Sequence, residues 1–124
     1  MATVTGVPIT NAIAVSSGLA EHHKFAVFAA SGDVGTAINV FRHTRITVQV
    51  VGTFTGGLDI IAEGSLEDTS PTNFFPLTEA DGTAVEFLAV AGGKLVAENV
   101  KWIRLRATDG SGSATVTGYI LALI

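Results

Sequence analysis

The sequence predicts an all-β fold, an antiparallel β-sandwich of about eight short strands with jelly-roll or Greek-key wiring. Three observations carry that expectation. Apolar and polar residues alternate with period two over several segments, as they do when a sheet buries one face and wets the other. Turn-forming Gly, Pro, Asn and Asp punctuate the chain at intervals of about 8–12 residues. No segment carries an apolar stripe at i, i+3, i+4, i+7 over three helical turns, and only Glu79–Val90 and Leu95–Lys101 leave room for a helical turn.

Taken in order, residues 1–20 mix small polar and apolar side chains, and Pro8 argues against a central strand because proline brings no amide hydrogen to a ladder. They read as an N-terminal arm or edge strand, or as a terminal tail, ahead of a single sandwich domain over residues 21–124. Within them Ala12–Val15 could form a short strand before Ser16-Ser17-Gly18. Glu21-His22-His23-Lys24 then precedes Phe25–Ala30. Strict alternation there sets Phe25, Val27 and Ala29 on one face and Phe28 and Ala30 on the other. A run apolar on both faces reads as a buried strand or as one in a subunit contact. Ser31-Gly32-Asp33 ends it, and Val34–Phe41 is a weaker strand.

Thr44–Ser65 is the most legible stretch. Ile46, Val48, Val50 and Phe54 share one parity against Arg45, Thr47 and Gln49, and Leu58, Ile60 and Ala62 repeat the pattern against Asp59 and Glu63. With Gly56-Gly57 between them to tolerate positive φ, the two halves read as a hairpin. Val51 and Ile61 interrupt the polar parity, so part of the outward face is expected to be covered by a second sheet or a second subunit. The polar passage from Leu66 to Gly82, with Pro71 and Pro76, reads as a loop or interrupted edge strand that Phe74-Phe75 anchors to the core by one ring. Asp81-Gly82 marks a tight turn, Val85, Phe87 and Ala89 another strand, and Gly92-Gly93 a further turn. Val100–Ala107 and Ala114–Leu123, either side of Asp109-Gly110-Ser111-Gly112-Ser113, read as a second hairpin. Trp102 in the first of these strands reads most simply as core. Its shared parity with Arg104 and Arg106 offers a subunit contact instead, since aromatic and arginine residues are enriched at interfaces.

Composition narrows the function. The 124 residues are 48% hydrophobic and only 15% charged, with a mean hydropathy of +0.50; ordinary domains carry about a quarter charged residues. No apolar run reaches the ~18 residues that span a bilayer, so the surplus apolar surface is expected to lie against other protein in an oligomer or assembly. A net charge of −4 speaks against nucleic acid, which needs a basic face; the small basic groups Arg42/Arg45 and Lys101/Arg104/Arg106 read as solvated surface. There is no cysteine, hence no disulfide or thiolate chemistry. MATVTGVPIT shows no charged segment followed by a continuous apolar one, so no signal peptide is expected.

Catalytic constellations are weak. No GxSxG turn presents a serine to His22, His23 or His43. Glu63 and Glu67, or Glu67 and Asp68, could approach as a carboxylate pair, but acids beside a turn mostly solvate it. Adjacent His22 and His23 on a strand point to opposite faces and cannot share a metal. Glu67, Asp68 and Asp81 offer hard oxygen ligands without the regular spacing of a calcium loop. Exposed Trp102, Tyr119, Phe74 or Phe75 would suit a carbohydrate-binding sandwich. No catalytic, cofactor or metal residue is assigned, and the chain is read as a non-enzyme. The candidate interface residues are Phe25, Val27, Phe28, Val51, Ile61, Phe74, Phe75, Trp102, Arg104 and Arg106.

The series TVQVVGTFTGGLDIIAEGSLEDTSPTNFFPLTEADGT, ENVKWIRLRAT and SGSATVTGYILA resembles small virion proteins of tailed bacteriophages. An alternating strand ends in EGS, an acidic loop carries an aromatic segment through Pro76-Leu77-Thr78, and a strand rich in arginine precedes a Gly/Ser turn and a closing strand. The resemblance runs over residues 44–122 and is one of pattern. It implies a jelly-roll-like sandwich that decorates or cements the phage head on the virion surface, made in the host cytoplasm. The implied partners are further copies of itself, a trimer being favoured, and the major capsid protein, without cofactor, nucleic acid or membrane. A tail, neck or fibre component and a carbohydrate-binding module are the alternatives.

Overall fold

Period-two alternation in the sequence becomes two sheets that face each other across one apolar layer. The computed structural model describes residues 2–9 and 20–124, so the short strand expected at Ala12–Val15 lies outside the described residues. Sheet A runs in the order β1 (Thr3–Val4), β4 (Val34–Gly35), β11 (Trp102–Thr108), β7 (Asp59–Ser65), β8 (Phe75–Pro76). Two further short strands join it, β5 (Ile38–Asn39) on β11 and β9 (Glu86–Leu88) on β7. Sheet B runs β10 (Gly92–Val96), β6 (Arg45–Thr53), β12 (Ser111–Leu123), β3 (Ala20–Ala30), β2 (Gly6–Pro8).

The chain changes sheet at almost every step: β3 in B, β4 and β5 in A, β6 in B, β7 to β9 in A, β10 in B, β11 in A and β12 in B. With β4/β5 and β8/β9 each filling one broken position, and the arm strands set aside, both sheets have four positions among the described residues, which is jelly-roll wiring. The arm contributes β1, parallel to β4, and β2, antiparallel to β3; Pro8 sits on the outermost strand, where its missing amide costs nothing.

This wiring corrects both expected hairpins. β6 pairs with β10 and β12, whereas β7 pairs with β11, β8 and β9; β11 and β12 likewise lie in opposite sheets. Alternation reports that a strand has one buried face and is silent about which strand lies beside it. Two strands facing the same core from opposite sheets have the same pattern as a hairpin. Gly56 and Gly57, at φ +77° and +76°, still reverse the chain, but they carry it over the rim of the sandwich. Gly92-Gly93 is not a turn: both residues pair in β10, opposite Val50 and Gln49, and the chain bends just before them. Asp81-Gly82 does turn, with the Gly82 amide donating to the Glu79 carbonyl at 2.9 Å.

The expected parity of Phe25–Ala30 also fails, for one reason. Thr117 pairs with Ala26 and Val116 with Phe28, so Val27 is an extra residue in β3, a bulge that shifts the following side chains to the other face. Phe25 and Phe28 therefore both enter the core, at 0% exposure, and Val27 is turned out at 46%. Phe25 and Phe28 are thus core residues and not interface residues. Gly118 makes the room: a Cβ there would sit 2.5 Å from Leu105 Cδ1 and 3.5 Å from Phe28 Cε2. Around them the layer is filled by Val48, Val50, Ile60, Ile103, Leu105, Val116 and Ile120.

One buried carboxylate ties the arm to the sandwich. Asp33 accepts the amides of Ala2 (2.9 Å), Ala29 (2.9 Å) and Ala30 (3.0 Å). Burial pushes its carboxyl up, but the three amide donors outweigh burial and hold it below the ordinary aspartate value.

Two outcomes test this core. Phe28→Ala is expected to cost about 3–5 kcal/mol in urea unfolding, and Val27→Ala to stay within about 0.5 kcal/mol; equal losses would contradict the bulge. Asp33 titrates lower when folded than unfolded, so its contribution is present above the unfolded value, about 3.9, and lost as pH falls through the lower folded value. Unfolding midpoints measured from neutral pH down through that window should fall for the native chain and fall less steeply for Asp33→Asn, which starts lower at neutral pH.

Candidate functional site

The outer face of sheet A gathers the chemistry that the sequence scatters. Trp102, Arg104 and Arg106 alternate with inward Ile103, Leu105 and Ala107 along β11. Antiparallel register sets Trp102 beside Ser65, Arg104 beside Glu63, and Arg106 beside Ile61. Two arginines thus flank one glutamate in a cross-strand cluster. Arg104 Nε donates to Glu63 Oε1 at 3.0 Å, while Arg106 donates through Nε to Oε1 and through Nη2 to Oε2, each at 3.1 Å. Glu63 is only 6% exposed although it lies on the outward parity; both arginines reach its carboxylate, and β8 pairs alongside. A buried charge persists only when paired and hydrogen-bonded, and here both carboxylate oxygens are engaged.

The aromatic residues extend this cluster. The Arg104 guanidinium carbon lies 3.7 Å from the centroid of the Phe74 ring, a cation–π stack. Trp102 is half-buried, and its indole N–H donates to the Glu67 carbonyl at 2.8 Å. That placement corrects the core reading of Trp102: the residues of its strand that enter the core are those of the other parity. Phe74 and Phe75 do not anchor the loop to the core either; Leu77 does so, fully buried, while Phe75 stays 38% exposed. The loop is shaped by Glu67, whose Oε1 accepts the amides of Thr72 (2.8 Å) and Asn73 (2.7 Å). Those two amides lead in holding its carboxyl below the ordinary value.

Of the ten candidate interface residues, sheet A therefore brings together Ile61, Phe74, Trp102, Arg104 and Arg106 on one face, with Phe75 at its edge. Val51 and Val27 lie on the outside of sheet B. Two residues that sequence reasoning missed, Phe41 and Leu66, continue the face beyond Trp102. They are 72% and 66% exposed and flank a cleft of about 260 Å3 with Val100 and Lys101. Their only signal was a large apolar residue set among charged or turn residues, in Phe41-Arg42 and Leu66-Glu67-Asp68. Glu63 and Glu67, expected mainly to solvate a turn, are both engaged instead, Glu63 with arginines and Glu67 with amides.

Other clusters are smaller. His22 packs outward toward Tyr119, with ring centroids 6.1 Å apart, and His23 turns inward, as adjacent strand positions require. His43 Nδ1 lies 3.5 Å from Glu21 Oε2 and His23 Nε2 lies 3.7 Å from Glu21 Oε1. Among the described residues no three such groups converge closely enough to hold a metal ion. A groove of about 380 Å3 beside β9 and β10 is mainly apolar, with Phe87, Leu88 and Val90 and the charges of Glu86 and Lys94 at its rim.

The sequence matches no protein-family model, and no curated protein is similar to it in sequence. Solved structures do share the fold. The SPBc2 prophage-derived protein YomS is 15% identical, with a TM-score of 0.57 over 91% of this chain and 98% of its own. The K2 cleaved adhesin domain of Lys-gingipain is 10% identical, with a TM-score of 0.51 over 98% of this chain and 84% of its own. The chain shares an all-β sandwich with a prophage-derived protein. At these identities the likeness is one of fold.

The cluster has a measurable consequence. Glu63→Ala, which leaves two arginines without their acceptor, should cost about 1–3 kcal/mol in urea unfolding, at the low end because the arginines are partly solvated. Arg104→Lys should lose part of the same energy, since lysine neither stacks flat on Phe74 nor matches a planar carboxylate. A Glu63→Ala protein as stable as the native one would deny the cluster any structural role.

Proposed function

We propose that the chain is a structural virion protein that decorates or cements a phage head, docking on capsid subunits through the outer face of sheet A. The observation that carries this reading is the aromatic–arginine face itself. Trp102, Phe74, Arg104 and Arg106 are of the types that dominate interface energetics, and Glu63 and the Phe74 stack hold the arginines in place before any partner arrives. Pre-organised side chains lose less entropy on binding. Phe41 and Leu66 add apolar surface that a partner would cover. The shared fold with a prophage-derived protein is compatible with this reading, and the phage resemblance of residues 44–122 supports it.

The packed apolar layer supports a structural role. The layer between the sheets is filled largely by packed apolar side chains, and Glu63, Arg104 and Arg106 are engaged with one another. A glycan-binding reading draws less support, because Arg104 covers one face of Phe74 and the Trp102 N–H is already bonded within the chain. A cement protein acts by burying area at each contact: at about 25 cal/mol per Å2, a few hundred Å2 repeated over a shell can oppose the pressure of packaged DNA. The same face would serve a tail or neck component, and location in the particle separates these roles.

Purified chain should bind intact heads of its own phage at a fixed number of copies per shell. Trp102→Ala and Arg104→Ala should each weaken that binding by more than about 1 kcal/mol while keeping the native circular dichroism spectrum. A chain that has no affinity for heads, or whose affinity ignores both substitutions, refutes the proposal.

A further inference from the structure

The outer face of sheet B has the opposite character, and no role described so far uses it. Antiparallel register lays it out in rows of three to five residues across its strands. One row is Gly93, Gln49, Tyr119, Lys24, Val7; the next is Leu95, Thr47, Leu121, His22; a third is Val51, Thr117, Ala26. Every residue in the centre of these rows is uncharged. The two cations, Lys24 and Arg45, lie toward the margins, Lys24 beside the edge strand β2 and Arg45 at the start of β6. Leu95 is 51% exposed and Val51 36%, and Tyr119, Leu121 and Leu123 are half-buried.

We infer that this face pairs with the same face of a second copy of the chain, sheet on sheet, about a two-fold axis. The charge pattern selects the occupant. A two-fold contact sets a patch against itself, so a charged patch meets its own sign. Sheet A's face would set Arg104 and Arg106 of one copy near those of the other; sheet B's face sets threonine, glutamine, tyrosine and leucine against their like and keeps its cations apart. A strongly charged partner, by contrast, finds no complement in the centre of this face.

The area is also sufficient. Five strands at ~4.8 Å spacing and on average about eight residues at ~3.3 Å give about 650 Å2 per copy. That approaches the ~800 Å2 per partner of standard stable interfaces and doubles to more than the ~1,000 Å2 total such an interface must clear. Flat outer faces of twisted sheets stack at about 10 Å with strands near −30°, so the pair forms four layers with both sheet A faces outermost and free. A two-fold pair departs from the trimer that the phage resemblance implies. It does not rest on head binding, which uses the other side of the sandwich.

Sedimentation velocity of the full chain at micromolar concentrations tests it. The native protein should run as a dimer or as an even-numbered multiple. Thr117→Glu and Thr117→Lys, at the centre of the face, should each weaken association by about tenfold or more through like-charge repulsion. An equimolar mixture of the two should recover it as a mixed pair. Circular dichroism verifies the fold of each variant, and exposed Gln49→Glu and Gln49→Lys repeat the experiment if the Thr117 variants unfold. Arg104→Ala should leave association unchanged. A native monomer at every concentration, a closed trimer, or a dimer that none of these charges weakens overturns the inference. Head binding measured on the same samples reports separately on sheet A.

Discussion

Because most consecutive strands of this chain enter opposite sheets, neither sheet can be completed from local pairings alone. Both are held by side chains that meet in the layer between them: Phe25 and Phe28 from β3, Val48 and Val50 from β6, Ile103 and Leu105 from β11, Ile120 from β12. β6, β11 and β12 find their ladder partners only when distant segments have arrived, so the ladders and the packed layer form together. Non-local pairing of this kind makes folding slow. It also makes the interior intolerant: the bulge at Val27 and the missing side chain at Gly118 are local irregularities that let two phenylalanines enter one layer.

The two outer faces of the sandwich are built differently from its interior. A jelly roll with an open interior can hold a ligand between its sheets; here apolar side chains fill most of that layer, His23 and His43 lie beside Glu21 at one end of it, and the aromatic–arginine cluster lies on an outer face. Those faces differ in kind. On sheet A a nearly buried glutamate gathers two arginines, one of them stacked on Phe74, and Trp102 is tethered to the neighbouring loop. On sheet B the same period-two geometry presents an uncharged field. A sandwich with one pre-organised polar–aromatic face and one neutral face is suited to meet two different surfaces, the first proposed to be a capsid and the second a copy of itself.

The sequence carried the strands and their buried parity well. Ile46, Val48, Val50, Ile60, Ala62, Ile103, Leu105 and Ile120 are inward as alternation demanded, and the turns at Gly56-Gly57 and Asp81-Gly82 are real. Strand partnership was not legible, because a strand's pattern records only that one face is dry. Phe25–Ala30 was misread because a one-residue bulge leaves no mark in composition, and Trp102 because a large aromatic in an alternating strand suits either face until its neighbours are known. Glu63 was the least legible of all: its role exists only through the register that places it beside Arg104, some forty residues away. Phe41 and Leu66 were hidden because single exposed apolar residues are common on any surface.

The proposed role is tested most directly by a reconstruction of the purified particle at side-chain resolution. The chain is expected on the head at a fixed copy number, with Trp102, Arg104 and Phe74 against capsid subunits and sheet B turned away from the shell. A particle that carries the chain only at the tail, or on the head with sheet A facing solvent, would contradict it.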